Sequence, residues 1–128
     1  MKKTLFSLIL TCVLLAGCGG SADPEKASYE QISMDDAMAL MEKHEDCVIL
    51  DVRTQAEYDA GHIPGASCLP NEEIAEKTVS VLPDKDQMIL VYCRSGNRSK
   101  QASQKLADLG YTNIKEFGGI IDWPGEIE

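Results

Sequence analysis

Residues 88–100, with the sequence MILVYCRSGNRSK, constrain the fold of this chain more than any other stretch. Residues 88–92 form a short apolar run with β-branched side chains, which predicts a strand buried on both faces. The residues from about position 99 onward have the apolar spacing of an amphipathic helix. A single cysteine and a tight polar turn separate the two, so the stretch predicts a strand, a turn and a helix in immediate succession.

Cys93 ends the predicted strand directly before the helix, where free backbone N–H groups and the helix dipole favour an anion. Arg94 and Arg98 add positive charge in the same turn. We therefore expect the Cys93 thiol to have a lowered pKa and to act as a nucleophile. The competing interpretation is a small buried apolar side chain, but such a cysteine has no need of two cations and a glycine turn.

The start of the chain resembles a bacterial lipoprotein signal. A basic segment is followed by an apolar run that is too short to span a bilayer, and then by Leu-Ala-Gly-Cys at positions 15–18. We expect residues 1–17 to be a signal peptide, Cys18 to be lipidated, and residues 18–27 to form a flexible tether. The protein would then be anchored in the cell envelope, on the periplasmic side of an outer membrane or on the outer cell surface.

Removal of residues 1–17 from 128 leaves 111 residues, enough for one compact domain, which we assign to residues 28–128. The mature charge is 10 basic minus 21 acidic residues, or −11, which makes nucleic acid an improbable partner. Neither a CxxC pair nor the spacing of a metal site is present, so we expect no metal and no cofactor.

Strands and helices alternate along the rest of the chain. Strands are predicted at residues 29–32, 47–52, 67–69, 88–92 and 113–117. Helices are predicted at about residues 33–43, 54–60, 72–81 and 99–109, with a short turn of helix near Trp123. This alternation predicts an α/β fold with a central, mostly parallel five-stranded sheet and helices on both faces. Asp51 and Cys93 both end strands, so we expect both at the carboxyl edge, where ligands bind in such sheets.

Four segments give the chain its resemblance to the rhodanese family. They are Leu-Asp-Val-Arg at 50–53 with Glu57 and Tyr58, Gly-His-Ile-Pro-Gly-Ala at 61–66, the segment 91–99, and Gly118-Gly119 with Trp123. The resemblance runs from about Tyr29 to Trp123. It implies a rhodanese-like fold and a sulfurtransferase in which Cys93 takes sulfur from thiosulfate or a persulfide donor. The resulting persulfide would pass the sulfur to a thiol, cyanide or protein-cysteine acceptor.

The resemblance also implies the roles of the residues around Cys93. The donor anion would be held by the backbone and side chains of the turn, which comprises Arg94, Ser95, Gly96, Asn97, Arg98 and Ser99. Asp51 and Arg53 are interpreted as an ion pair that supports the site without touching substrate. His62 is interpreted as part of the loop architecture.

Two alternative functions remain at this point. The chain could be a persulfide carrier or sulfur-binding partner with little turnover, since a carrier would share every motif. It could also be a cysteine phosphatase or arsenate reductase. Related cysteine phosphatases have five residues between the cysteine and the arginine, whereas here four residues separate Cys93 from Arg98. A further hypothesis concerns Cys68, which stands where the family often has asparagine and could approach Cys93 to resolve its persulfide or form a disulfide.

Overall fold

The computed structural model describes residues 27–128. The predicted signal segment, Cys18 and nearly all of the predicted tether lie outside the described residues. The strands are β1 (Glu30–Gln31), β2 (Val48–Asp51), β3 (Ser67–Cys68), β4 (Ile89–Cys93) and β5 (Ile114–Gly119). The α-helices are α1 (Met34–Lys43), α2 (Gln55–Ala60), α3 (Thr78–Val81) and α4 (Asn97–Asp108), and two 3₁₀ turns span Asn71–Glu73 and Ile120–Asp122. No helix within residues 27–128 is long and apolar enough to cross a membrane.

The five strands form one sheet in the order β1-β5-β4-β2-β3, and every neighbouring pair is parallel. All five residues of β4 are buried, because this strand lies at the centre of the sheet between β2 and β5. Its continuous apolar sequence is typical of a strand covered on both faces. The predicted α/β fold, with a five-stranded parallel sheet, is confirmed.

Helices cover the sheet on both faces and define two core layers. One layer contains Val91 and Cys93 of β4 and packs against α4 through Ala102 and Leu106. The other contains the alternate residues of β4, Leu90 and Tyr92. It packs against α1 and against the segments around Tyr58 and Trp123. Neighbouring residues of a strand point to opposite faces, so Cys93 faces the α4 layer and Tyr92 faces the other.

Two helices begin as their sequences predict. The hydroxyl of Ser33 accepts a hydrogen bond from the Asp36 N–H at 3.0 Å and caps α1. Thr54 and Glu57 form a complete capping box at the start of α2, with each side chain accepting a bond from the other's backbone N–H.

The predicted helix at residues 72–81 is wrong. The segment is instead a 3₁₀ turn at Asn71–Glu73, a bend, and the single turn α3 at Thr78–Val81. Asn71 does not cap a helix, because its side-chain amide donates to Gln101 of α4 at 3.0 Å. A continuous helix would need the Ala75 N–H to bond to the Asn71 carbonyl oxygen, but this N–H donates to the Thr78 hydroxyl at 2.9 Å, and the Asn71 carbonyl oxygen accepts from Lys105 of α4 at 2.9 Å. The helix after Cys93 also begins earlier than predicted, at Asn97 rather than Ser99.

A buried polar network joins β2, β4 and the loop after α2. The Asp51 carboxylate is fully buried and accepts hydrogen bonds from the Arg53 guanidinium, at 2.6 Å for Nη2, and from the Tyr92 hydroxyl at 2.8 Å. Arg53 donates onward to the carbonyl of Gly61 at 2.7 Å, and the Tyr92 hydroxyl accepts the Ile63 N–H at 3.1 Å. The ion pair expected from Asp51 and Arg53 is present, and it holds the 61–66 loop against the sheet.

Replacement of Asp51 by asparagine is expected to lower the free energy of unfolding by about 3–5 kcal/mol, because it leaves the buried Arg53 guanidinium without a compensating charge. Urea unfolding followed by circular dichroism measures the change. Glu30→Gln is the matched control, since it breaks the exposed pair between Glu30 and Lys115 and should cost at most about 1 kcal/mol. Equal losses in the two variants would contradict this role for Asp51.

Candidate active site around Cys93

Cys93 occupies the last position of β4, at the carboxyl edge of the sheet, and its side chain is only 1% exposed. Only residues 94–96 separate it from the start of α4 at Asn97, so the turn between strand and helix is very short. Gly96 makes this possible because it adopts a φ of 105°, in the left-handed region where side chains are disfavoured. The thiol therefore lies at the base of a turn whose backbone N–H groups point inward.

Hydrogen bonds to the sulfur determine the acidity of Cys93. The Gly96 N–H donates to Sγ at 3.0 Å, and the Ser99 hydroxyl lies 3.4 Å from the same atom. Burial alone would raise the pKa of the thiol, but the bonds from the Ser99 side chain and from the backbone of Ser99, Gly96 and Ser95 outweigh it. The pKa of Cys93 is therefore lowered, as the sequence predicts. The leading cause is the set of hydrogen bonds rather than the two arginines.

The two arginines of the turn have different surroundings. Arg98, in the first turn of α4, donates to both carboxylate oxygens of Glu57, at 2.7 and 3.1 Å. Its charge is thus largely compensated by α2, and the pair ties the active-site turn to that helix. Arg94 is exposed and forms no ion pair among residues 27–128. The sequence interpretation treated the two arginines as equivalent, because a linear pattern does not reveal that Glu57 lies opposite Arg98.

The other residues of the turn divide by burial. Ser95 and Asn97 are exposed, whereas Gly96 and Ser99 are buried. Of the predicted residues, Ser95, Gly96 and Ser99 are hydrogen-bonded to the Cys93 sulfur. Their arrangement follows from the short connection between β4 and α4.

Asp51 and Arg53 lie behind the site rather than in it. Asp51 is the register partner of Tyr92 in β4 and bonds to its hydroxyl, so its side chain points into the layer opposite to Cys93. His62 belongs to the same side of the sheet. Its ring stacks on Tyr58 with the centroids 3.8 Å apart, and its Nδ1 lies 2.9 Å from the Tyr58 carbonyl oxygen.

The structure does not support the hypothesis that Cys68 approaches Cys93. Cys68 is the register partner of Asp51, two strands away from Cys93, and its thiol lies 3.9 Å from the Arg53 carbonyl oxygen. It therefore belongs to the Asp51 side of the sheet, whereas Cys93 faces α4. Burial and the nearby Asp51 charge raise the pKa of Cys68 to about 11, so it is a poor nucleophile at neutral pH. Cys47, Cys68 and Cys93 are all free thiols.

Gly119 is an unanticipated structural requirement of the site. A β-carbon at this position would overlap the backbone of Arg94, because the end of β5 passes directly under the active-site turn. The Arg94 carbonyl oxygen then accepts a bond from the Ile121 N–H at 3.3 Å. The double glycine in the sequence marks this close approach of two backbones, but the approach itself only becomes visible once β4 and β5 are paired.

Glu116 of β5 is a further residue that the sequence interpretation missed. It is 3% exposed, and its Oε1 accepts bonds from the Ser99 hydroxyl at 2.7 Å and from the Gly118 N–H at 2.8 Å. The available signal was a charged residue in a strand of a sheet covered on both faces, where carboxylates are rarely buried without a specific partner.

Comparison with known proteins gives consistent matches. Residues 33–125 match the sequence profile of the Rhodanese-like domain. The thiosulfate sulfurtransferase PspE of Escherichia coli is 37% identical over 73 residues, which are 57% of this chain and 70% of that protein. The thiosulfate sulfurtransferase GlpE of Pseudoalteromonas translucida is 34% identical over 97 residues, or 75% of this chain and 90% of that one. A solved rhodanese with anions from E. coli has a TM-score of 0.59 and 33% identity, covering 63% of this chain and 95% of its own.

The pair of Glu57 and Arg98 is expected to make stability depend on pH in the acid range. The Arg98 hydrogen bond lowers the pKa of Glu57 to about 2 from an ordinary value of 4.5, so the stabilisation is complete above pH 4.5 and is lost as the pH falls toward 2. Glu57→Gln retains a helix-capping side chain but loses the charge. It should lower the free energy of unfolding by about 1–2 kcal/mol at pH 7, allowing for solvent screening, and by much less at pH 2. Urea unfolding at both pH values tests this. Glu42→Gln, at an exposed position of α1, is the control, and a loss that is equal at both pH values would contradict the prediction.

Proposed function

The chain belongs to the rhodanese family of sulfurtransferases, and we propose that it moves sulfane sulfur from thiosulfate or a persulfide donor to a thiophilic acceptor through a persulfide on Cys93. The observation that carries this proposal is the Cys93 thiol itself. It lies at the base of a turn lined with N–H donors, and those hydrogen bonds lower its pKa. A thiolate held in this way is a prepared nucleophile.

The proposed reaction has two displacement steps. In the first, the Cys93 thiolate attacks the outer sulfur of thiosulfate, a bond forms between the two sulfurs, and sulfite leaves with the electron pair of the broken sulfur–sulfur bond. The negative charge now resides on the terminal sulfur of the persulfide. In the second, an acceptor thiolate attacks that terminal sulfur, and Cys93 departs as a thiolate. The N–H groups of the turn stabilise negative charge throughout the reaction.

Arg94 is the residue that we assign to donor binding. It is exposed at the mouth of the turn and is not engaged in an ion pair within the described part of the chain. Arg98 has a different role in this proposal. Because both terminal nitrogens of its guanidinium donate to Glu57, it holds the turn in place instead of clamping the donor.

The ion pair between Arg98 and Glu57 also favours sulfur transfer over phosphoryl chemistry. A phosphatase of the Cys-x5-Arg type needs a turn wide enough for a tetrahedral phosphate and an arginine free to bind it. Here the turn is one residue shorter, and the Arg98 guanidinium is already occupied by a carboxylate. Both features support a narrower site for a sulfur atom.

Incubation with thiosulfate is expected to add the mass of one sulfur atom to the protein, and cyanide should remove it. Intact-mass spectrometry measures both steps. Cys93→Ala should not load, whereas Cys68→Ala, which removes a thiol from the other side of the sheet, should load normally. Failure of the wild type to load while Cys93 is reduced and alkylatable would contradict thiosulfate as donor.

Arg94→Ala should raise the thiosulfate concentration needed for half-maximal loading about tenfold, because it removes a charge-assisted contact. Lys100→Ala, which removes an exposed cation from the next turn of α4, is the matched control. An unchanged concentration for Arg94→Ala would assign donor binding to the backbone N–H groups alone.

We also propose that the protein is anchored to the cell envelope by lipid on Cys18. The support is the order of a basic segment, an apolar run and Leu-Ala-Gly-Cys at positions 15–18. Metabolic labelling with a fatty acid in a bacterial host should label the wild type and not Cys18→Ala. Cys12→Ala, which lies within the apolar run, is the control. Label in Cys18→Ala would refute the assignment.

A further inference from the structure

Glu116 is a buried carboxylate without a cationic partner. It is 3% exposed, and no lysine, arginine or histidine lies within ion-pair distance of it among residues 27–128. Its Oε1 receives only the Ser99 hydroxyl and the Gly118 N–H. A buried carboxylate normally requires a compensating charge or several donors. Glu116 has neither, yet it lies one side chain away from the Cys93 sulfur.

Ser99 connects the two acidic groups. Its hydroxyl is fully buried and lies 2.7 Å from Oε1 of Glu116 and 3.4 Å from Sγ of Cys93, with the Gly96 carbonyl oxygen at 3.0 Å as a competing acceptor. A hydroxyl has one proton to donate and can accept in return. If Ser99 donates to an ionised Glu116, its oxygen can only accept a bond from the Cys93 thiol. If it donates to a Cys93 thiolate, its oxygen can only accept a bond from a protonated Glu116.

We propose that Glu116 exchanges a proton with Cys93 through the hydroxyl of Ser99. In the forward direction the S–H bond of Cys93 breaks and its proton goes to the Ser99 oxygen. The former Ser99 proton goes to Oε1 of Glu116. No proton enters or leaves, and the negative charge moves from the carboxylate to the sulfur. This inference rests on the proposed role of Cys93 as nucleophile and assigns Glu116 as a positioning residue that acts on it through Ser99.

The Cys93 sulfur has more hydrogen-bond donors around it than the Glu116 carboxylate has. Sγ accepts the Gly96 N–H and lies at the start of α4, with further backbone N–H groups around it. Oε1 of Glu116 has a single backbone donor, the N–H of Gly118. These donors partly offset the greater intrinsic acidity of a carboxylic acid over a thiol, and Ser99 becomes a further donor to the thiolate when the proton moves to Glu116.

The charged groups on the surrounding elements are largely engaged elsewhere. On α4, Arg98 is bound to Glu57 of α2, and Lys105 donates to the Asn71 carbonyl oxygen. Lys115, next to Glu116 on β5, pairs with Glu30 of β1.

The remaining titratable groups do not lie in the path of the proton. On β2, Asp51 is bound by Arg53 and faces the opposite layer, as does Tyr92 of β4. Arg94 in the turn is exposed. The path from Cys93 to Glu116 thus runs through the Ser99 hydroxyl alone.

The rate of Cys93 alkylation as a function of pH tests this proposal without any sulfur donor. Iodoacetamide reacts with the thiolate, and peptide mass spectrometry separates Cys93 from the other cysteines. When the pair carries one proton, part of the wild type should be in the form with thiolate and protonated Glu116. The alkylation rate should therefore fall in two steps as the pH is lowered, with a shoulder between them.

Glu116→Gln keeps an oxygen that can accept bonds from Ser99 and Gly118 but cannot take up the proton. Its alkylation rate should fall in one step, tenfold per pH unit, so that it is at least tenfold below the wild type at the shoulder. Ser99→Ala should also lower the alkylation rate at the pH of the shoulder. Glu73→Gln, at an exposed position outside the site, should retain the two steps.

A two-step profile in Glu116→Gln would overturn the proposal. So would a loss of alkylation rate that is equal at every pH, since that is the result expected for a purely structural residue. If Glu116→Gln does not fold, infrared spectroscopy of the wild type decides. At the pH of the shoulder, the carbonyl band of a protonated carboxyl group should disappear when Cys93 is alkylated, and persistence of that band would refute the exchange. Because alkylation needs no sulfur donor, a failure of thiosulfate loading would leave this result interpretable.

Discussion

The short connection between β4 and α4 is the constraint on which the site depends. Because only residues 94–96 separate the last strand residue, Cys93, from the start of α4 at Asn97, the backbone has room for only one tight turn, and its N–H groups converge on the Cys93 sulfur. That geometry needs a left-handed residue at Gly96 and a strand without a side chain underneath, at Gly119. The burial that would oppose ionisation is thereby offset by hydrogen bonds, and a thiol with 1% exposure still has a lowered pKa.

Two neighbouring elements hold this turn. Glu57 of α2 binds Arg98, while β5 passes below Arg94 at Gly119 and bonds to Ser99 through Glu116. The network of Asp51, Arg53 and Tyr92 acts at greater distance, since it fixes β2 against β4 from the opposite face of the sheet. The buried polar side chains of Asp51, Arg53, Ser99 and Glu116 thus lie around β4, and the apolar packing of both layers keeps that strand in place.

Much of this arrangement could be predicted because it depends on local pattern. The apolar run at residues 88–92, the cap of α1 at Ser33 and the capping box of α2 at Thr54 each involve residues close together in the chain. The helix predicted at residues 72–81 was wrong because side chains take the partners of its backbone bonds: Thr78 accepts from the Ala75 N–H, and Lys105 of α4 donates to the Asn71 carbonyl oxygen. Glu116 was missed since a single carboxylate in a strand has no local partner, and its bond to Ser99 spans seventeen positions.

The sequence alone determined the alternation of strands and helices, the position of Cys93 between a strand and a helix, and the family resemblance, because these follow from local periodicity and from motifs that are continuous in the chain. Only the tertiary structure decided which charges face each other. It placed Glu57 on Arg98, left Arg94 exposed, separated Cys68 from Cys93 by the sheet, and brought Glu116 within reach of the thiol through Ser99. The physical reason is that such contacts arise from strand order and register, which bring together residues far apart in the chain.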